Sequence, residues 1–271
     1  MNAAILQPFC ALLRGDRRGI GGALGARRCA AAIAVGFGLY GAAVGAWRAP
    51  QQAVYSGIKF PLMVLLALGF TGALSGMLAP LLGARLGFAD SLRAQLRGFA
   101  AAALILGSLA PLAYFISLNA PPPGVPGAAR YHSIMLTLHV GLIAYAGIVS
   151  QLRLLALLRH ECGATAAARV VFAWLAANLL AGSQLSWNLR PFFGSPGLKL
   201  QFLRDDPFDG SFFESAFRSA SVALGSQIGA VAVAALGTLA VGVTAWALLG
   251  GSKPESHPSP NPSPTDHGPE S

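Results

Sequence analysis

Six long stretches of this chain carry no Asp, Glu, Lys or Arg. They run between Arg28 and Arg48, Lys59 and Arg85, Arg97 and Arg130, Arg130 and Arg153, Arg169 and Arg190, and Arg218 and Lys253. A helix needs about 20 predominantly apolar residues to cross the hydrocarbon of a bilayer, and each stretch supplies that. The runs are continuous and rich in Ala, Leu and Gly, whereas a membrane-barrel strand alternates apolar and polar residues over about 10 positions. The expected fold is all-α: a polytopic transmembrane helical bundle of about six spans. The sixth run exceeds the requirement, which leaves room for tilt or for an opening turn outside the hydrocarbon.

Composition supports the same class. Charged residues make up 11% of the chain and apolar residues 54%, with a mean hydropathy of +0.58; a soluble domain carries about 25% charged residues. The net charge of +9 would suit nucleic acid, but the Arg residues cluster beside apolar runs, where orientation and lipid headgroups account for them. The expected partners are therefore the lipid bilayer and a membrane protein, either a different protein or a further copy of this one, and no nucleic acid. The three Cys, Cys10, Cys29 and Cys162, form no CxxC pair and fall in different segments, which argues against a disulfide framework or a zinc site. Acylation of Cys10 is one reading, and a small apolar role is the plainer one.

Orientation follows from the basic residues. Arg14, Arg17, Arg18, Arg27 and Arg28, then Arg85, Arg93 and Arg97, then Arg153, Arg159 and Arg169 alternate with loops that hold only Arg48, Lys59 and Arg130. This asymmetry places the N-terminus inside, and six spans return the C-terminus to the same side, an N-in/C-in topology. Residues 1–28 read as an amphipathic, basic cytoplasmic segment lying on the membrane. A cleaved signal peptide is the competing reading, with an overlong charged region and no convincing cleavage site. Residues 29–250 form the transmembrane domain. Residues 251–271, rich in Pro and Ser, read as a disordered cytoplasmic tail, a solvated spacer.

One connector differs from the rest. Residues 188–218 are expected to form a structured outer loop. Together with Trp187 they hold Phe192, Phe193, Phe202, Phe208, Phe212, Phe213 and Phe217 of the chain's 15 Phe, and Asp205, Asp206, Asp209 and Glu214. The acids offset Arg190, Lys199, Arg204 and Arg218, so the loop is close to neutral. Three readings remain open for it. It folds back over the bundle; it docks a partner through aromatic and Arg anchors; or it is a lid with catalytic Arg190, Asp205, Asp206 or Asp209. Asp205-Asp206-Pro207 and Asp209-Gly210 read first as turns. The residues expected to matter, as lid or docking surface, are Arg190, Phe192, Phe193, Phe202, Arg204, Asp205, Phe212 and Phe213.

Within the spans, polar residues suggest a small cavity open to the outside: His139, Asn178, Gln184, Asn188 and Gln227. His139 is the ionisable side chain nearest the middle of a span, a functional candidate in lipid; one hydrogen bond would also satisfy it. His132 is seven residues earlier on the same helix face. Interhelical hydrogen bonding is the plainer account of the amides, each worth about 0.6 kcal/mol. The GxxxG pairs Gly41/Gly45, Gly72/Gly76 and Gly225/Gly229 permit close helix packing, within the chain or between copies. Pro61 begins the second span, and Pro111 lies inside the third, where a kink is expected. The sequence carries no nucleophile elbow, HExxH, P-loop or GxGxxG motif, and its acids match no EF-hand. No catalytic residue, metal ligand set or cofactor is expected.

The segments YGAAVGAWRAPQQAVYSGIKFPLMVLLALGFTGALSGMLAPLLGARL and GSQLSWNLRPFFGSPGLKLQFLRDDPFDGSFFESAF resemble an uncharacterised group of bacterial polytopic membrane proteins, over about residues 36–220. The likeness is carried mainly by the short basic loop after the second span and by Arg190-Pro191-Phe192. It implies a bacterial inner (cytoplasmic) membrane. In layout the chain is also similar to Yip-like integral membrane proteins, which implies a scaffold recruiting partners rather than an enzyme. The functional expectation is thus a non-catalytic scaffold or accessory subunit. The alternatives are a small-solute or ion transporter using the polar faces of spans four to six, and a lipid-acting membrane enzyme.

Overall fold

The computed structural model describes residues 25–194, 197, 199–212, 214, 215, 218, 221 and 222. Most of the N-terminal basic segment, the sixth uncharged run with Gln227 and Gly225/Gly229, Phe213, Phe217 and the tail lie outside these residues. Among the described residues there are five long helices and no strand: α1 Ala26–Gly45, α2 Pro50–Leu81, α3 Phe88–Leu118, α4 Ala128–Cys162 and α5 Ala164–Asn188. All five are long and apolar enough to cross a membrane, as a multi-pass membrane protein requires.

Each helix begins before its charge-free stretch. α2 has 32 residues, about 48 Å at 1.5 Å per residue, against a hydrocarbon thickness of about 30 Å. It therefore begins at Pro50, nine residues before the Lys59 charge that bounds the uncharged run. Pro50 suits a first helical position, whose N–H needs no intrahelical partner. Pro61, expected to open a span, instead lies in the helix interior. The Gly57 carbonyl, four residues before it and deprived of its usual donor, faces Gly38 of α1. α3 likewise begins at Phe88, so Arg93 and Arg97 are helical.

α1 packs on both α2 and α3, and α2, α3, α4 and α5 contact one another in turn, with α5 returning to α2. On α1 the buried face runs through Ile33, Phe37, Tyr40 and Val44, at helical spacing, while Val35 and Leu39 point outward. Glycines let these backbones approach. A Cβ at Gly36 would collide with the Ala103 carbonyl; one at Gly41 would stand 2.5 Å from the Ser56 carbonyl oxygen, and one at Gly45 2.5 Å from that of Gln52. Gly72 and Gly76 face Leu92 and Phe88 of α3. These two GxxxG pairs therefore serve packing within the chain.

The buried apolar residues form two clusters. One joins α1, the first half of α2 and the second half of α3, with Ile143 and Ala146 of α4, and receives Phe192 and Phe193 from the segment after α5. The other gathers where α2 turns into α3 and α4 into α5, around Trp174, Leu154, Leu158 and Val170. The α4–α5 joint is the single residue Gly163, at φ 80°, ψ 163°. That backbone region is essentially restricted to glycine.

Candidate functional site

The opening turns of α2 place Gln52, Ser56 and Lys59 four and three residues apart, on one helix face. All three are fully buried. The chain that follows α5, far away in sequence, covers them. Gln52 Nε2 donates to the Pro191 and Phe192 carbonyls at 3.0 and 3.1 Å, and Lys59 Nζ donates to the Pro191 carbonyl at 3.0 Å. Ser56 Oγ also donates to the Phe192 carbonyl. Irregular backbone within a helical membrane bundle is tolerated where protein groups satisfy it. Pro191 has no N–H to satisfy, so this segment offers α2 carbonyl acceptors.

Aromatic rings close the junction. Phe192 meets Phe60 edge-on at 4.9 Å between centroids. Lys59 Nζ lies 4.7 Å from the Phe202 centroid and 5.8 Å from that of Phe192, within cation–π range. Phe202 packs edge-on against Tyr55 of α2 at 5.3 Å. Phe193 enters on the α4 side, 5.3 Å from His139 and 6.4 Å from His132. His132 also stacks near Trp47 at 5.7 Å and is hydrogen-bonded to the Gly194 backbone. Gly194 sits at φ +71°, and a Cβ there would come 2.7 Å from Arg48 Cγ. Deeper still, the Tyr40 hydroxyl lies 2.7 Å from His139 Nδ1. His139 Nε2, also buried, meets no hydrogen-bond partner among the described residues. Residues 191–194 therefore form a plug between α1, α2 and α4.

Outside the plug, Arg190 binds the loop to the end of α5. Its Nη1 donates to the Trp187 and Pro207 carbonyls, both at 3.0 Å, and its Nη2 to those of Asp206 at 3.0 Å and Asp209 at 2.7 Å. The guanidinium lies 3.8 Å from the Trp187 ring, and Trp187 Nε1 donates to the Asp209 carbonyl at 2.6 Å. Burial first, and then the Arg204 charge, press the Arg190 pKa below its ordinary value, while Asp209 and Asp206 oppose the shift. The acids here contribute main-chain oxygens to Arg190 rather than carboxylates.

The remaining candidates occupy separate places. Asn178 Oδ1 accepts from Thr71 Oγ1 at 2.7 Å, inside a network in which Gln95 donates to Ser75 Oγ and Trp174 Nε1 reaches the Ser75 carbonyl at 3.4 Å. Gln184 Nε2 donates to Asn188 Oδ1 at 3.1 Å on a more open part of α5. Asn178, the Gln184–Asn188 pair and His139 thus make three separate sets of hydrogen bonds. In the loop, Arg190, Phe192, Phe193 and Phe202 converge on the bundle. Arg204 and Phe212 are half-buried and Asp205 is exposed. Phe213 and Gln227 lie outside the described residues. Among the described residues no three His, Cys, Asp or Glu gather as a metal set. Sequence reasoning did not single out Gln52, Ser56 or the buried role of Lys59. The available signal was their i, i+4, i+7 spacing just after Pro50.

Comparison with protein-family models, with curated proteins and with solved structures finds no match.

Proposed function

We propose that this protein is a non-catalytic scaffold or accessory subunit of a bacterial inner membrane, with six spans, both ends in the cytoplasm, and the 188–218 loop outside. The loop recruits or stabilises a partner membrane protein. The observation that carries this reading is the Arg190 staple. Four carbonyls and a Trp ring hold the loop in one shape, and that shape presents apolar side chains outward: Phe208 is 76% exposed, with Leu203 and Leu200 beside it in sequence at 43% and 37%. A rigid aromatic anchor loses little conformational entropy on docking, as interface hot spots require. In the full chain, Phe208→Asp abolishes co-purification of the partner from detergent extract while melting temperature and elution volume stay at wild-type values. Unchanged recovery removes the proposal. A reporter fused near position 200 that responds on the cytoplasmic face overturns the orientation.

The transporter reading has its own support, the buried Lys59 and the unpartnered Nε2 of His139. It requires that His139→Ala alter solute flux in proteoliposomes. The lipid-enzyme reading has less to rest on, because the Arg190 guanidinium is spent on main-chain carbonyls.

A further inference from the structure

Lys59 is fully buried, yet among the described residues no carboxylate pairs with it. A buried ammonium is ordinarily paired with an anion. Here it meets one carbonyl and two ring faces. Gln52 and Ser56 add two more donors from the same helix face, and all three converge on just two oxygens, those of Pro191 and Phe192. The arrangement of a cation, a hydroxyl and an amide N–H around paired oxygens is the one that recognises a carboxylate or phosphate.

We propose that Lys59, Ser56 and Gln52 form an oxyanion-binding site that the protein's own Pro191–Phe192 carbonyls occupy in its resting form. The ligand is a small carboxylate or phosphate, free in solution or carried on a lipid headgroup. Its oxygens take the place of the two carbonyls, supply the negative charge that the carbonyls lack, and release the plug. The site is distinct from the exposed loop surface through which a partner would dock.

The experiment uses the full chain with Cys10, Cys29 and Cys162 replaced by Ala and with Phe193→Cys as a reporter inside the plug. In phosphatidylcholine nanodiscs the rate of maleimide labelling at position 193 is followed while succinate or inorganic phosphate is added. A ligand that binds only the open form multiplies the open population by 1 + [L]/Kd, so labelling rises about 11-fold at ten times Kd. In a second arm, nanodiscs containing phosphatidylglycerol replace the free anion. Acceleration by the free anions identifies a soluble ligand, and acceleration only in the anionic nanodiscs identifies a headgroup. In either case Lys59→Met removes the dependence on anion. Ser56→Ala, the milder change, moves it to higher concentration. No acceleration by succinate, phosphate or phosphatidylglycerol overturns the proposal. So does acceleration that persists undiminished in Lys59→Met and Ser56→Ala proteins that elute and melt as folded.

Discussion

α2 carries two polar clusters of opposite design. Toward its end, Thr71 and Ser75 meet Gln95 of α3 and Asn178 of α5, neutral hydroxyls and amides that serve as donors and acceptors for one another. Near its start, Gln52, Ser56 and Lys59 are aimed as donors at two main-chain oxygens of a segment outside any helix. The first cluster completes itself once three helices are side by side. The second cannot, because it holds more donors than acceptors and includes a cation. It needs an acceptor-rich strip of chain laid over it. The cluster toward the end of α2 is therefore a fastener, while the cluster at its start depends on where residues 190–194 go.

The largest test strikes the support of the donor cluster. Gly45→Leu puts a side chain where a Cβ would already stand 2.5 Å from the Gln52 carbonyl and 2.8 Å from Ser56 Oγ. Overpacking at so close a helix contact costs about 3 kcal/mol. The expected outcome is a marked fall in detergent melting temperature together with release of the plug, read as faster maleimide labelling of Phe193→Cys in the same protein. Retention of wild-type melting would show that α1 does not hold the cluster in place.

A smaller change removes one shared donor. Gln52→Met keeps the volume but withdraws the amide from both plug carbonyls. With Ser56 and Lys59 still present the loss is about 2 kcal/mol, measured by chemical denaturation in detergent. The smallest effect belongs to the Thr71–Ser75 network. A double-mutant cycle of Ser75→Ala with Gln95→Leu should yield a coupling of about 0.6 kcal/mol, the usual worth of an interhelical hydrogen bond in lipid. If the coupling there equals or exceeds that between Gln52 and Lys59, the contrast between the two clusters fails.

Much of the architecture could be read from charge spacing, since long uncharged runs have few ways to hide their backbone in a bilayer. Five of the six runs coincide with helices that meet the requirement for crossing, and most of the sixth lies outside the described residues. The limits of those helices were not legible. In the sequence a charge marks the end of a span, yet Lys59 lies in the tenth position of α2, fully buried. Its concealment depends on Pro191 and Phe202, more than 130 positions away, and no local pattern encodes that contact. The importance of Arg190 was legible from its unusual surroundings, but its role was not: a guanidinium bound to carbonyls leaves no mark in side-chain composition. Asn178 and Gln184 are expected from the sequence to line one cavity. Six residues along a helix amount to about 9 Å, enough to give them different partners.

The Gly163 joint bears on how the whole assembly can move. Cys162 ends one rod and Ala164 begins the next, so the elbow has no slack in which to lose a displacement. The corner is packed by Leu154, Leu158, Val170 and Trp174, and the far tip of α5 is where Trp187 and Arg190 grip the exposed turn. Pressure at one end of this bent lever therefore bears on α3 and α2 as well, against which α4 and α5 are packed.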